Sequence, residues 1–176
     1  MALSSSELID FLEEVDKRLE RKVTLVAAGG TAMTLHKLKP STLDVDFTGP
    51  GDDIESFNRA VRRVQPGFEV HTWPDGQVFM QVLPPDYLKK STPIRTKLEN
   101  IELRALHPVD IVVTKVGRLD ERDIEDIRAC IKARGLRRRT VLARAKKVHY
   151  AGNQALYDHN LETVKRELFP RLKKEA

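Results

Sequence analysis

Ala27-Ala28-Gly29-Gly30-Thr31 and, a little further on, Leu43-Asp44-Val45-Asp46-Phe47 are the two stretches from which the fold of this chain can be read. The first closes a β-branched and apolar run, Lys22–Ala28, which reads as a buried strand ending in a tight turn. Two glycines there let the backbone turn sharply and approach a ligand, with amide hydrogens free for phosphate at a helix start. Thr31–Leu38 is apolar enough for a short helix, stopped by Pro40. Ser41–Thr48 alternates around Leu43, Val45 and Phe47 and reads as a second strand. Asp44 and Asp46, two apart on that strand, project from one face. Two carboxylates held together among apolar neighbours repel unless a cation lies between them, and hard oxygen ligands suit magnesium with nucleotide phosphates. An edge strand with both aspartates in solvent fits the same alternation.

Working outward, Leu8, Ile9, Phe11, Leu12, Val15 and Leu19 recur at helical spacing, with an early serine as cap and Glu7 in the first turn. After Gly49-Pro50-Gly51, Asp52 or Asp53 is expected to cap a helix running to about Val64. Short strands are expected over Phe68–Trp73, Gln77–Leu83, Ile94–Leu98 and Ile101–Ala105, with Pro74-Asp75-Gly76 as a hairpin turn. From His107-Pro108 onward the chain reads as helical: Val109–Gly117, Glu121–Arg134, Arg137–His149 and Asn153–Leu172. The expected fold class is α+β, a small mixed sheet flanked by helices with a helical C-terminal subdomain. The division falls at residues 1–118 for the core and 119–176 for the basic helical part.

Composition narrows the function classes. The chain has 176 residues, 32% charged and 40% hydrophobic, the profile of a globular protein with one main core. No apolar run approaches a bilayer span, so no membrane partner is expected. The first residues lack the basic start and apolar stretch of a signal peptide, and the expected compartment is the cytoplasm. A single cysteine, Cys130, excludes an internal disulfide, and the five histidines lack metal-ligand spacing. Trp73, Tyr87, Tyr150 and Tyr157 are too scattered in sequence to suggest a base-stacking platform.

The net charge of +5 is unevenly spread. Residues 1–114 hold 14 Lys/Arg and 17 Asp/Glu, whereas residues 115–176 hold 17 and 9. Between Ile127 and Tyr157 there are nine basic residues and no acidic one. Arg137, Arg138 and Arg139 are the densest part and the candidate contacts for a polyanionic acceptor, although a solvated helical surface has the same composition.

The glycine pair followed after a thirteen-residue spacer by Asp-apolar-Asp-apolar resembles the signature of the DNA polymerase β-like nucleotidyltransferase superfamily. A second block extends the resemblance. Pro108-Val109-Asp110-Ile111 through Lys115 and Arg118 to Arg122-Asp123-Ile124-Glu125-Asp126 is similar to the helical block of small prokaryotic nucleotidyltransferase-like proteins related to the AbiEii/MenT toxin group. Lys39-Pro40-Ser41-Thr42 matches as well, with lysine where relatives usually carry arginine. Together these cover residues 23–130.

The resemblance implies an enzyme that moves a nucleoside monophosphate from an NTP to an acceptor such as RNA or tRNA. Gly29, Gly30 and Thr31 would hold the triphosphate, and Asp44 and Asp46 would hold Mg²⁺ or Mn²⁺. Lys115 and Asp123 would complete the catalytic set, with Arg118 on the phosphates and a cognate toxin or antitoxin as a possible protein partner. By spacing alone, Lys115 and Arg118 share a helical face able to reach a phosphate or to bridge to Asp110 or Glu121. Asp123 and Asp126 likewise share a face and could orient Lys115 or a metal-bound water, or pair with Arg122 and Arg128. One departure stands out. Where the superfamily often carries a third carboxylate on a later strand, this chain has Gln81, which cannot act as a base. Asp86, Glu69 and Glu102 are the nearby acids. Without a third acid, the alternative is a catalytically incomplete, antitoxin-like binding protein.

Overall fold

The computed structural model describes residues 1–169. In chain order the elements are β1 (Leu3–Ser4), α1 (Ser5–Asp16), β2 (Val23–Ala27), α2 (Gly29–Leu35), β3 (Ser41–Thr42), β4 (Val45–Gly49) and α3 (Gly51–Val64). There follow β5 (Val70–Pro74), β6 (Gln77–Val78), β7 (Gln81–Val82), α4 (Tyr87–Lys90), β8 (Thr92–Pro93) and β9 (Ile101–Ala105). The remainder is α5 (Pro108–Lys115), α6 (Glu121–Arg134), α7 (Arg138–Ala145), β10 (His149–Tyr150) and α8 (Gln154–Glu167). The α+β class read from the sequence is the one observed. Among the described residues no helix is long and apolar enough to cross a membrane.

The main sheet has five strands in the order β5-β4-β2-β9-β8. Its centre, β2, runs antiparallel to β4 and parallel to β9, and β4 runs parallel to β5. Alternation along β4 sorts its side chains. The Phe47 ring meets Phe57 of α3 edge-on, with centroids 5.5 Å apart. Asp46, one residue earlier, therefore faces the opposite side, where α2 and α5 stand. Leu25, Phe47, Ile111 and Val112 are fully buried at this centre, and burying such side chains stabilises by about 1.5–3 kcal/mol each. Ile127 and Cys130 of α6 and Val141 of α7 belong to the same continuous apolar cluster.

Local chemistry explains the helix starts. Ser4 and Glu7 form the capping box of α1, and Asp120 and Asp123 form another at α6. Pro108 opens α5 behind His107, whose Nδ1 accepts from Val109 N–H at 3.0 Å. The cap expected at Asp52 or Asp53 is instead Pro50. Asp53 is turned to β2, where its carboxylate accepts from Thr24 N–H at 2.9 Å.

Four expected elements change. The strand expected over Ser41–Thr48 breaks at Leu43-Asp44 into β3, paired with β1, and β4 of the main sheet, so that of the two aspartates only Asp46 is on the strand. The strand over 94–98 does not form. Pro93, which has no N–H to donate, ends a two-residue edge strand, and beyond it Ile94 N–H still bonds Leu103 at 2.9 Å. Gln77–Leu83 is not one strand but a hairpin, β6 and β7, reversing at Phe79-Met80. The turn at Pro74-Asp75-Gly76 exists but passes the chain from the five-stranded sheet to a separate sheet ordered β10-β7-β6. The helix expected to reach His149 ends at Ala145, and His149-Tyr150 joins the free edge of β7 instead. Residues 170–172 of the last expected helix lie outside the described residues.

Candidate active site

A cleft of about 720 Å³ opens beside β4, lined by α2, the β3–β4 segment, α5, α6 and the β6–β7–β10 sheet. Its first corner is made by the glycines and aspartates. Gly29 has φ +51, and a Cβ there would lie 2.9 Å from the Phe79 ring and 3.0 Å from Asp46 Oδ2. Glycine is required on both counts. A Cβ on Gly30 would meet Thr42 Oγ1 at 2.5 Å. Both glycines line the cleft, and Thr31 does not. The Thr31 hydroxyl donates to the Asp44 carbonyl at 3.0 Å and accepts from Asp46 N–H at 2.9 Å. Thr31 thus pins the aspartate segment to α2 rather than reaching a phosphate, which corrects the role expected for it. Thr42 also donates to the Asp44 carbonyl, at 2.8 Å.

Asp44 sits in the bend just before β4 and is exposed, whereas Asp46 is on the strand and 3% exposed. Both face the cleft. Burial pushes the Asp46 carboxyl up to about 6, helped by the Asp44 charge and opposed by His71 and Lys115. His71 Nδ1 lies 3.4 Å from Asp46 Oδ1. The two hard carboxylates suit a divalent cation that takes its other ligands from phosphate and water, as magnesium does. No cluster of three or more His, Cys, Asp or Glu side chains able to hold a metal occurs among the described residues.

Opposite the aspartates runs an alternating chain of charges. Lys39 Nζ lies 3.1 Å from Asp126, and Lys115 Nζ lies 2.9 Å from Asp126 and 3.2 Å from Asp123. Arg118 completes it with a two-pronged pair to Asp123 at 2.7 and 2.8 Å. Lys115 and both aspartates are buried, and the Arg118 side chain is 68% exposed. Of the alternatives left by spacing, Asp123 and Asp126 thus orient Lys115, and neither Arg122 nor Arg128 is their partner. Burial would raise the Asp123 carboxyl, but Arg118 and Lys115 outweigh it and hold the group below its usual range. Asp123 also accepts from Asp120 N–H at 3.2 Å in the capping box. A carboxylate so occupied is a poor base, and its geometry is that of a positioning residue for Lys115 and Arg118. Asp110, by contrast, is taken by Arg144 at 2.6 and 2.9 Å.

The third wall holds what sequence reasoning missed. Trp73 and Phe79 meet edge-on at 4.9 Å, and Tyr150 packs on Tyr157 at 5.3 Å. Trp73, Phe79, Met80, Gln81 and Tyr150 all line the cleft, so aromatics scattered in sequence converge in space. Of these the sequence singles out Gln81, whereas Trp73 and Tyr150 read there as too scattered to act together. Gln81 is 1% exposed, and its Oε1 is without a hydrogen-bond partner, an arrangement costing about 1–3 kcal/mol. Asp86 is held by Arg144 at 2.7 Å away from the cleft, Glu69 lies 3.3 Å from His71, and Glu102 pairs with Arg104 at 3.1 Å. None of these acids lines the cleft. Arg137, Arg138 and Arg139 are exposed at the start of α7, outside the cleft.

A glycine turn feeding an aspartate strand, on a mixed sheet backed by helices, gives a protein of the nucleotidyltransferase class. The chain belongs to the family described as nucleotidyltransferase of unknown function (DUF6036), whose model matches residues 6–172. No curated protein and no solved structure matches it.

Proposed function

We propose that this protein is a metal-dependent nucleotidyltransferase that moves a nucleoside monophosphate from an NTP to a hydroxyl acceptor. The observation that carries this reading is one cleft holding Gly29, Gly30, Asp44 and Asp46 on one side and Lys115 and Arg118 on the other. Asp44 and Asp46 would hold Mg²⁺ or Mn²⁺. Once bound, the cation supplies charge neutralisation at the reacting phosphate. The glycine amides bring the backbone close to the triphosphate. Lys115, held by Asp123 and Asp126, neutralises charge gathering on the departing pyrophosphate, and Arg118 can turn to it from its exposed position. Such stabilisation is worth about 3 kcal/mol per well-placed donor. A P–O bond forms to the acceptor hydroxyl as the α–β anhydride bond breaks, and the hydroxyl proton passes to water.

RNA such as tRNA is the acceptor class favoured by the exposed Arg137, Arg138 and Arg139, acting in the cytoplasm. The resemblance of the Pro108–Asp126 block to the AbiEii/MenT toxin group supports a cognate toxin or antitoxin protein as a partner. Gln81 favours a second reading, a nucleotidyltransferase-fold binding protein without turnover, because the other acids of the cleft, Asp123 and Asp126, are committed to Lys39, Lys115 and Arg118. The test is incubation with each α-labelled NTP, Mg²⁺ or Mn²⁺ and total RNA, alongside Asp44→Ala and Asp46→Ala. Label transfer is expected for the natural sequence and a loss of at least about 100-fold in both variants. No transfer under any condition, or equal transfer by the variants, removes the enzyme reading.

A further inference from the structure

The wall formed by the β6–β7–β10 sheet is not used by the metal or the phosphates. Three independent features of it point to a ligand. The first is Gln81. Its amide is packed so tightly over Gly117 that a Cβ there would lie 2.5 Å from Nε2, and Oε1 is the buried side-chain polar atom left unpartnered among the described residues. Buried amides normally find partners, so an orphan on a residue that lines a cleft marks a place where a donor arrives.

The second is the hairpin that carries it. Phe79 and Met80 have φ +50 and +67, a left-handed pair that ordinarily calls for Asn-Gly. Bulky residues persist there only where the surroundings hold them, and such strain collects at ligand sites. Its effect is to turn the Phe79 ring inward, against Gly29 and the edge of Trp73. The third is Tyr150, directly opposite Gln81 in the β7–β10 register. Its ring is backed by Tyr157 and hemmed in by Gly117 and Gly152, where a Cβ would come within 3.1 and 2.6 Å of it.

Flat aromatic faces flanking one amide, next to a corner of phosphate-type chemistry, match a heteroaromatic ring with a polar edge. We propose that Phe79, Gln81 and Tyr150 form the nucleobase subsite of this cleft. The base lies against the two aromatic side chains and donates a hydrogen bond from its edge to Gln81 Oε1. Gln81 then stands where it does as a reader of the base, and not as a defective third carboxylate. The proposal rests on the nucleotidyl-transfer reading only in requiring that an NTP enter the cleft.

Calorimetric titration of the whole chain in Mg²⁺ with ATP, GTP, CTP, UTP and inorganic tripolyphosphate tests it. At least one NTP is expected to bind about 10-fold or more tightly than tripolyphosphate, with a comparable spread among the four bases. Gln81→Leu, an apolar replacement that removes the orphan atom, should compress that spread to within about 3-fold. Tyr150→Ala should weaken every NTP by about 10-fold. Tripolyphosphate affinity should be unchanged in both variants, which also reports that they fold. If tripolyphosphate binds but the NTPs bind no tighter, or if Gln81→Leu keeps the order and spread, the subsite is overturned and the phosphate and metal corner stands. If tripolyphosphate and all four NTPs fail to bind, the nucleotide reading falls with it.

Discussion

Burial of Asp46, which is 3% exposed, and the Asp44 charge beside it push its carboxyl up to about 6 from the ordinary aspartate value of 3.8. The native state therefore binds this proton more tightly than the unfolded chain does. Stability from this group is greatest at low pH and is lost as pH rises from about 4 through 6, after which the loss is constant. The full difference corresponds to about 3 kcal/mol, an upper figure for a buried group. Asp46→Asn is expected to be more stable than the natural protein at pH 7.5 without divalent cation, and to lose that advantage towards pH 4. Saturating Mg²⁺ should narrow the gap at pH 7.5 by stabilising only the protein that retains both carboxylates. Urea midpoints at the two pH values, with and without Mg²⁺, measure this. A gap that is the same at both pH values would mean that Asp46 is not desolvated as described. The residue proposed to hold the cation is thus also the one whose burial the fold tolerates at a cost.

At the scale of elements, what was legible in the sequence depended on whether the signal was local. Gly29-Gly30 and Asp44-Val45-Asp46 could be read because the turn, the helix start and the strand alternation all lie within about twenty residues. The Ser4–Glu7 box and the Pro108 start were legible for the same reason. The partners of Lys115 were legible only as one alternative among several, since the choice depends on the corner between α5 and α6 that brings Asp123 and Asp126 back over it. The aromatic wall was illegible because Trp73, Phe79 and Tyr150 come from β5, the β6–β7 turn and β10, and the turn carries no Asn or Gly to announce it. That turn makes its own prediction. Met80 is 62% exposed, so its side chain contributes little packing while its left-handed backbone costs about 1–2 kcal/mol. Met80→Gly should therefore raise stability by about 0.5–1 kcal/mol after the added freedom of the unfolded chain is subtracted. Denaturant midpoints with an unchanged m value would show it. If the variant is instead less stable, as glycine is at an ordinary exposed strand position, the left-handed turn is not retained in solution.

Across the whole molecule, the charge imbalance resolves into parts with different fates. Within the acid-free stretch, Arg144 is buried and committed to Asp110 and Asp86, so it holds α7 to α5 and is not available to a partner. Arg134 is near His36, at 3.5 Å. Arg137, Arg138 and Arg139 are exposed and form no ion pair within 4.0 Å among the described residues, and their charge is therefore free to act over the Debye length. If RNA is the acceptor, these three neutralise phosphates and release counterions when it binds. Reversing all three to glutamate should weaken RNA binding at 50–100 mM salt and reduce the slope of log affinity against log salt by about 2. Folding should be little affected, because exposed side chains far from the core rarely change stability by more than about 0.5 kcal/mol. NTP affinity without RNA should also hold, since none of the three lines the cleft. Filter binding across a salt series, with thermal melts of the same samples, separates the outcomes. An unchanged slope in a folded variant would make the triplet a solvated surface and move the search for the acceptor to the cleft mouth, where Arg118 and Arg122 are also exposed. A reduced slope would divide the molecule's basic charge by function, with Lys115 and Arg118 serving the nucleotide and the start of α7 serving the chain that receives it.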